Sequence, residues 1–216
     1  MVQVIILDFD GVILESVDVK TNAFRQLFSF SPGHVDEIVR YHLDNGGVSR
    51  FEKFRHIYSC ILKEPLPDSR FSELSRKFSA LVYDAVLETP FVKGSLEFII
   101  GASRSNSLYI VTATPETEIR QILRARQLDP YFRSIFGAPT SKTEAVEIIL
   151  RAGSIPPASA IFIGDSKNDW QAAAATGVRF IGRVRPGDRN PFEGLSGVET
   201  IIPDLQSLGA YLEMHP

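Results

Sequence analysis

Three short apolar runs set the terms for this chain: residues 4–7, 108–111 and 161–163. None alternates with polar residues, as a half-exposed strand would. Continuous apolar strands belong to a parallel sheet covered on both faces. Two further runs, 178–181 and one near 200–202, read the same way. Helix-like stretches stand between them, at 115–126, 143–151, 168–175 and 205–212. Strand and helix in alternation predict an α/β fold: a doubly wound, mainly parallel, Rossmann-like sheet.

Residues 16–88 break that alternation. Phe24, Leu27 and Phe28 share one helical face, and Phe51, Phe54, Ile57 and Ile61 share another. Breaks fall at Ser31-Pro32-Gly33, at Asn45-Gly46-Gly47 and from Pro65 to Asp68. The pattern predicts an α-helical domain, 16–88, inserted after the first strand, with 1–15 and 89–216 forming the α/β domain. The aromatic stripes read as core. A net charge of −3, with Lys and Arg scattered, argues against a broad nucleic-acid surface. No apolar stretch nears the ~18 residues of a membrane span. No signal-peptide pattern is present, so a cytoplasmic location is expected by default. Cys60 is the single cysteine, which excludes an internal disulfide. Among Ile57, Tyr58, Ile61 and Leu62 it reads as a small buried apolar residue.

Polar residues follow directly on three of the runs: Asp8-Phe9-Asp10-Gly11, Thr112-Ala113-Thr114 and Gly164-Asp165. Open parallel sheets bind ligands beyond the carboxyl ends of their strands. Three strands therefore deliver reactive side chains to one rim. If extended geometry persists, Asp8 and Asp10 point to one face and Phe9 to the other. Two close carboxylates repel unless one holds a proton or a cation lies between them. A hard ion with oxygen ligands, such as Mg²⁺, answers that need. Asp-Gly is also a turn signal, but a turn leaves Asp8 unexplained. Asp165 adds a third carboxylate. Asp169 has two readings, a site residue or the capping-box acid of a helix capped by Ser166. Ser141-Lys142-Thr143-Glu144 reads as another capping box, with Lys142 at the first helical position. A cation there opposes the helix dipole unless an anion is near; a solvated surface lysine is the other reading. The Thr112 hydroxyl and adjacent backbone N–H groups, that of Ala113 included, suit a phosphate oxygen. Thr114 before Pro115 reads as a helix N-cap.

Together these residues resemble the haloacid dehalogenase superfamily, in its phosphatase and phosphomutase branch, over essentially the whole chain. Asp8-Phe9-Asp10-Gly11-Val12 is similar to its first motif, Thr112 to the second, Lys142 to the third, and Asp165 with Asp169 to the fourth. The helical insert is similar to the family's cap. The resemblance implies a Mg²⁺-dependent enzyme that hydrolyses a small phosphorylated metabolite, a phosphate monoester, through an aspartyl-phosphate. Asp8 would be the nucleophile and Asp10 the general acid/base. Lys142, Thr112 and Ala113 would bind the phosphoryl group. Asp8, the Asp10 backbone carbonyl and Asp165 would hold the metal, with Asp169 as ligand or orienting group. An acid at Asp10 argues against dehalogenation, because a halide leaves without a proton and an alkoxide needs one.

Gly47-Val48-Ser49-Arg50 is similar to the cap loop of β-phosphoglucomutases, whose arginine grips a second phosphate. A phosphomutase is therefore the nearest alternative. Lys20 stands where those enzymes carry a cap-side catalytic histidine, which favours hydrolysis. Arg50 and Lys20 are candidate substrate contacts; a helix-start surface residue is the other reading of Arg50. A receiver-like or other non-catalytic phosphoryl-binding protein also uses an acceptor Asp, Mg²⁺ and Lys. It has no large insert after its first strand and no need of an acid like Asp10. His34, His42, His56 and His215 show no metal-ligand spacing and read as packed or solvated. Arg183, Arg185 and Arg189 around Pro186-Gly187 could reach a phosphorylated substrate, but read rather as a solvated loop.

Overall fold

A computed structural model describes residues 2–214; His215 lies outside them. Six strands form one sheet: β1 (Val4–Leu7), β2 (Ser107–Pro115), β3 (Ser134–Ala138), β4 (Ala160–Gly164), β5 (Arg179–Arg183) and β6 (Val198–Ile202). Their order is β3-β2-β1-β4-β5-β6, and every pairing is parallel. Successive side chains of a strand point to opposite faces. Ile5, Leu7, Leu108, Ile110, Ile161 and Ile163 accordingly enter one core. Val4, Ile6, Tyr109, Val111, Phe162 and Phe180 enter the other. Two cores explain why β1, β4 and residues 108–111 of β2 read as unbroken apolar runs. On the first face lie α5 (Ser95–Ala102), α6 (Glu116–Ala125) and α9 (Leu205–Met214). On the second lie α7 (Lys142–Gly153) and α8 (Lys167–Thr176).

Four helices separate β1 from α5: α1 (Val17–Leu27), α2 (Val35–Asp44), α3 (Arg50–His56) and α4 (Asp68–Glu88). They meet on an aromatic cluster. The Phe24 ring lies 4.9 Å from Phe78 and 5.8 Å from Phe54, edge-on or tilted as aromatic quadrupoles prefer. The stripes are core, as expected. The chain leaves the sheet and returns to it at adjacent points. Glu15 donates its N–H to Pro90 O at 3.1 Å, and Val92 donates to Ile13 O at 2.9 Å.

Several sequence expectations need correction. Strand β3 and helix α5 had not been anticipated. β2 runs on to Pro115, so α6 begins at Glu116 and Thr114 is a strand residue, not an N-cap. Cys60 is exposed. It lies in a π-helical turn, Ile57–Leu62, that continues α3 and buries Ile57, Tyr58 and Ile61 instead. Arg183 is buried rather than solvated. It ends β5 and donates to Glu15 at 2.5 and 3.1 Å and to Gly11 O at 3.0 Å, which pins the chain where it leaves the sheet.

Candidate active site

The sheet reverses its winding direction at β1, which has β2 on one side and β4 on the other. Crevices form beyond strand ends at such a point. Asp8 follows β1, Thr112 lies near the end of β2, and Asp165 follows β4. All three line one pocket, together with Asp10 and Ala113. The extended run stops at Leu7, and the chain then turns so that Ile13 and Leu14 both donate to Phe9 O. Asp8 and Asp10 still reach the same pocket while Phe9 is fully buried in the core.

Each of the two carboxylates has its own lysine. Lys142, at the first position of α7, is buried and donates to Asp8 at 2.7 Å and to Asp169 at 2.5 Å. The Ser141 hydroxyl caps that helix by accepting from Glu144 N–H. The anions expected near Lys142 are thus Asp8 and Asp169, which offset its unfavourable place on the helix dipole. Asp10 accepts from Lys20 on α1, from the Ser16 hydroxyl at 2.6 Å and from the Thr114 hydroxyl at 3.0 Å. Lys20 also donates to the Thr114 hydroxyl at 2.6 Å. Sequence reading missed Ser16 and Thr114. Thr112 and Thr114 are two apart on one strand, so they share a face, and that parity was the available signal for Thr114.

Asp169 is the capping-box acid of α8, and it also lies in the acidic cluster beside Asp8 and Asp165. Its Oδ2 accepts from Ser166 N–H at 3.1 Å and from the Ser166 hydroxyl at 2.5 Å, the capping interaction. Its Oδ1 holds Lys142. Both of its oxygens are therefore hydrogen-bonded.

Arg50 is not a surface residue; it lines the pocket with its guanidinium already paired. It is buried, and its guanidinium makes two bonds to Glu118 of α6, at 2.5 and 3.0 Å, and one to Ser79 of α4 at 2.9 Å. Nothing in the sequence marks Glu118 as its partner.

Three acids offer oxygen atoms within 4.8 Å of one another: Asp8, Asp165 and Asp169. The one ammonium among them, that of Lys142, bonds Asp8 and Asp169. Burial pushes Asp8 and Asp165 above the usual carboxylate range; repulsion from Asp169 and Asp10 adds to it at Asp8, and repulsion from Asp8 and Asp169 adds to it at Asp165. Burial opposes the charge of Lys142 too, but Asp169 and Asp8 hold it above its ordinary value. Burial likewise opposes the charge of Asp10, yet Lys20 outweighs it and keeps that carboxyl below its usual range. Asp165 has no hydrogen bond or ion pair among the described residues. A Cβ on Gly11 would stand 2.0 Å from its Oδ2, and Gly11 has a φ of +73°, so only glycine allows this approach. Buried oxygens of one sign, one set of them unpartnered, fit a hard divalent cation.

The remaining pocket walls come from the helical segment. They include Lys20, Phe24, His42, Gly46, Gly47 and Lys53. A cavity of about 110 Å³ lies between them and the strand ends. Among the described residues no helix is long and apolar enough to cross a membrane.

Fold and site define an α/β protein with a buried carboxylate–lysine centre at the switch point of its sheet. The chain belongs to the haloacid dehalogenase-like hydrolases, whose family model matches residues 5–183. It is similar to phosphoglycolate phosphatase 1 of Pseudomonas aeruginosa, with 26% identity over 82% of this chain and 67% of that one. It is also similar to a phosphorylated carbohydrates phosphatase of Thermotoga maritima, with 25% identity over 83% of each chain. The solved structure of CbbY from Rhodobacter sphaeroides in complex with phosphate superposes with a TM-score of 0.75, covering 97% of both chains at 21% identity. That likeness bears on the fold.

Proposed function

We propose that the protein is a phosphatase that hydrolyses a small phosphate monoester through a phosphoaspartate on Asp8. The observation that carries this reading is the pairing pattern at the rim. A carboxylate held by Lys142 follows the central strand, and a second carboxylate with a separate cation stands two residues on. One is suited to attack and the other to move a proton. The names of the two phosphatase relatives agree with this chemistry.

Asp8 attacks phosphorus in line, and the bond to the ester oxygen breaks as the new P–O bond forms. The leaving oxygen takes a proton from the Asp10 carboxyl. An incoming phosphate beside Asp10 favours that protonated state, because like charges raise a carboxyl pKa, and it competes for Lys20. Asp10, ionised again, then takes a proton from water, whose oxygen displaces Asp8 from phosphorus and releases phosphate. Lys142, the Thr112 hydroxyl and the Ala113 N–H bind the phosphoryl oxygens. Phosphoryl transfer asks a protein mainly for such positioning and charge stabilisation. Asp8 and Asp165, with the Asp10 carbonyl, would hold Mg²⁺, which when bound supplies positive charge against the phosphoryl oxygens. Asp169 keeps Lys142 aimed.

Residues 16–88 act as a cap domain over 1–15 and 89–216, with the paired crossings at 13–15 and 90–92 as the hinge. The pairing of Arg50 with Glu118 supports hydrolysis over a phosphomutase reaction. Hydrolysis of p-nitrophenyl phosphate, with Mg²⁺ and with EDTA, tests the activity. An Asp8→Asn variant that turned over at the wild-type rate would refute it.

A further inference from the structure

The charges of the pocket pair off and leave two over. Asp10 is matched by Lys20, Asp8 and Asp169 share Lys142, and Arg50 is matched by Glu118. Asp165 remains on the acid side, where the metal site lies. Lys53 remains on the basic side. It follows Arg50 by three residues on α3, so both face the same way. It is 3% exposed and lines the pocket. Among the described residues it forms no ion pair. Its ammonium donates to His42 Nδ1 at 3.0 Å and to the His42 carbonyl at 3.1 Å, which leaves one of its three N–H groups unused.

We propose that Lys53 binds a second anionic group, a carboxylate or a phosphate, carried by the leaving group of the substrate; this rests on the phosphatase reading above. A buried cation without a counter-ion is a standing cost to the fold, and an anion entering the pocket offsets it. His42 cannot serve as that anion. It is buried, and burial together with Lys53 holds its pKa down to about 2, so its ring is neutral. Burial and the nearby Lys20 hold Lys53 down to about 7, which marks a cation whose partner is missing. The cap-loop arginine, Arg50, already has its carboxylate in Glu118.

The test is phosphate release from two matched pairs. One pair is 2-phosphoglycolate against 2-hydroxyethyl phosphate, the carboxylate arm. The other is fructose 1,6-bisphosphate against fructose 1-phosphate, the phosphate arm. In the wild type, kcat/KM favours the doubly anionic member of at least one pair by about 10- to 100-fold, the range of a buried charge-assisted hydrogen bond. Lys53→Met brings that ratio towards one, through KM, and Lys53→Arg retains part of it. Each ratio compares two substrates on one enzyme, so a smaller folded fraction cancels. A ratio near one in both wild-type pairs overturns the proposal, as does a ratio unchanged in Lys53→Met. If no ester is hydrolysed, the phosphatase reading fails by itself, and calorimetric binding of the same compounds then decides. Tighter binding of the doubly anionic member, lost in Lys53→Met, upholds the role of Lys53. Equal binding ends it.

Discussion

Replacing Glu118 by Ala tests the contact that ties the helical segment to α6. Arg50 and Glu118 have side chains 4% and 9% exposed, so solvent screens their attraction little. Removing the carboxylate leaves the guanidinium buried with the Ser79 hydroxyl and the ring of Phe78, 4.4 Å from its centre. Breaking a buried pair from one side costs about 3–5 kcal/mol. The two remaining contacts retain part of that, so the expected loss is about 3 kcal/mol. For a chain of this length that lowers Tm by roughly 6–12 °C. The double variant Arg50→Met/Glu118→Leu buries no charge and should regain most of the loss, since apolar replacement of a whole buried pair is often neutral. Glu116→Ala is the control. Glu116 occupies the same first turn but makes an exposed pair with Arg120, and its loss should cost less than about 1 kcal/mol. Urea titration followed by circular dichroism reads all three. Glu118→Ala within about 0.5 kcal/mol of wild type, or a double variant no better than the single one, would show that the pair is not the buried contact described.

Other substitutions address the chemistry and the pocket. Asp10→Asn should lower kcat for p-nitrophenyl phosphate by about 10²–10⁴-fold, the worth of a positioned acid/base. Lys142→Met should abolish measurable turnover and also destabilise the protein, because Asp8 and Asp169 lose their common cation; thermal melting and the p-nitrophenyl phosphate assay read the two effects. EDTA should stop hydrolysis and Mg²⁺ restore it, with Mg²⁺ also raising the Tm of the enzyme without substrate. His42 has a folded pKa held below its unfolded value of 6.5 by burial and Lys53, so the unfolded chain binds the extra proton between 6.5 and about 2. Its contribution is therefore complete above pH 6.5 and declines as pH falls, by about 1.4 kcal/mol per unit. His42→Phe should flatten the fall in stability between about pH 6.5 and 4.5 relative to wild type, measured by urea midpoints.

The sequence was informative where a residue's neighbours in the chain decide its environment. β1, β2 and β4 were legible because burial on both faces makes every position apolar. Lys142 was legible because Ser141 and Glu144 fixed it at a helix start. β3 was not. It is an edge strand, Ser134 and Phe136 are only partly buried, and Ser and Gly dilute its apolar run. Cys60 was misread because apolar neighbours suggested burial, whereas the turn of the chain gives the inner face to Ile57 and Ile61. Partnerships across the fold were hardest. Arg50 meets Glu118 across 68 residues, and no local pattern distinguishes that carboxylate from the others in its helix. Asp10 and Lys20 were each flagged, but for separate tasks, since spacing along the chain does not report that α1 folds back over the end of β1.

The distribution of unmatched charge is itself an argument about function. At the pocket wall and beyond it, buried ion pairs of the described residues are closed: Arg50 with Glu118, and Arg183 with Glu15. Inside it, Asp8, Asp165 and Asp169 face one lysine, while Lys53 faces a neutral imidazole. Each imbalance opposes folding, and well-packed apolar side chains in these places would stabilise the chain. Local violations of this kind are expected where a ligand completes the site. Their signs say what is missing. An excess of oxygen anions at the strand ends calls for a cation, and an unpaired ammonium on the facing helix calls for an anion. A phosphate ester with a second negative group, bound with a divalent metal, supplies both at once. Of the phosphate esters in question, that class alone would leave every buried charge of the pocket with a partner.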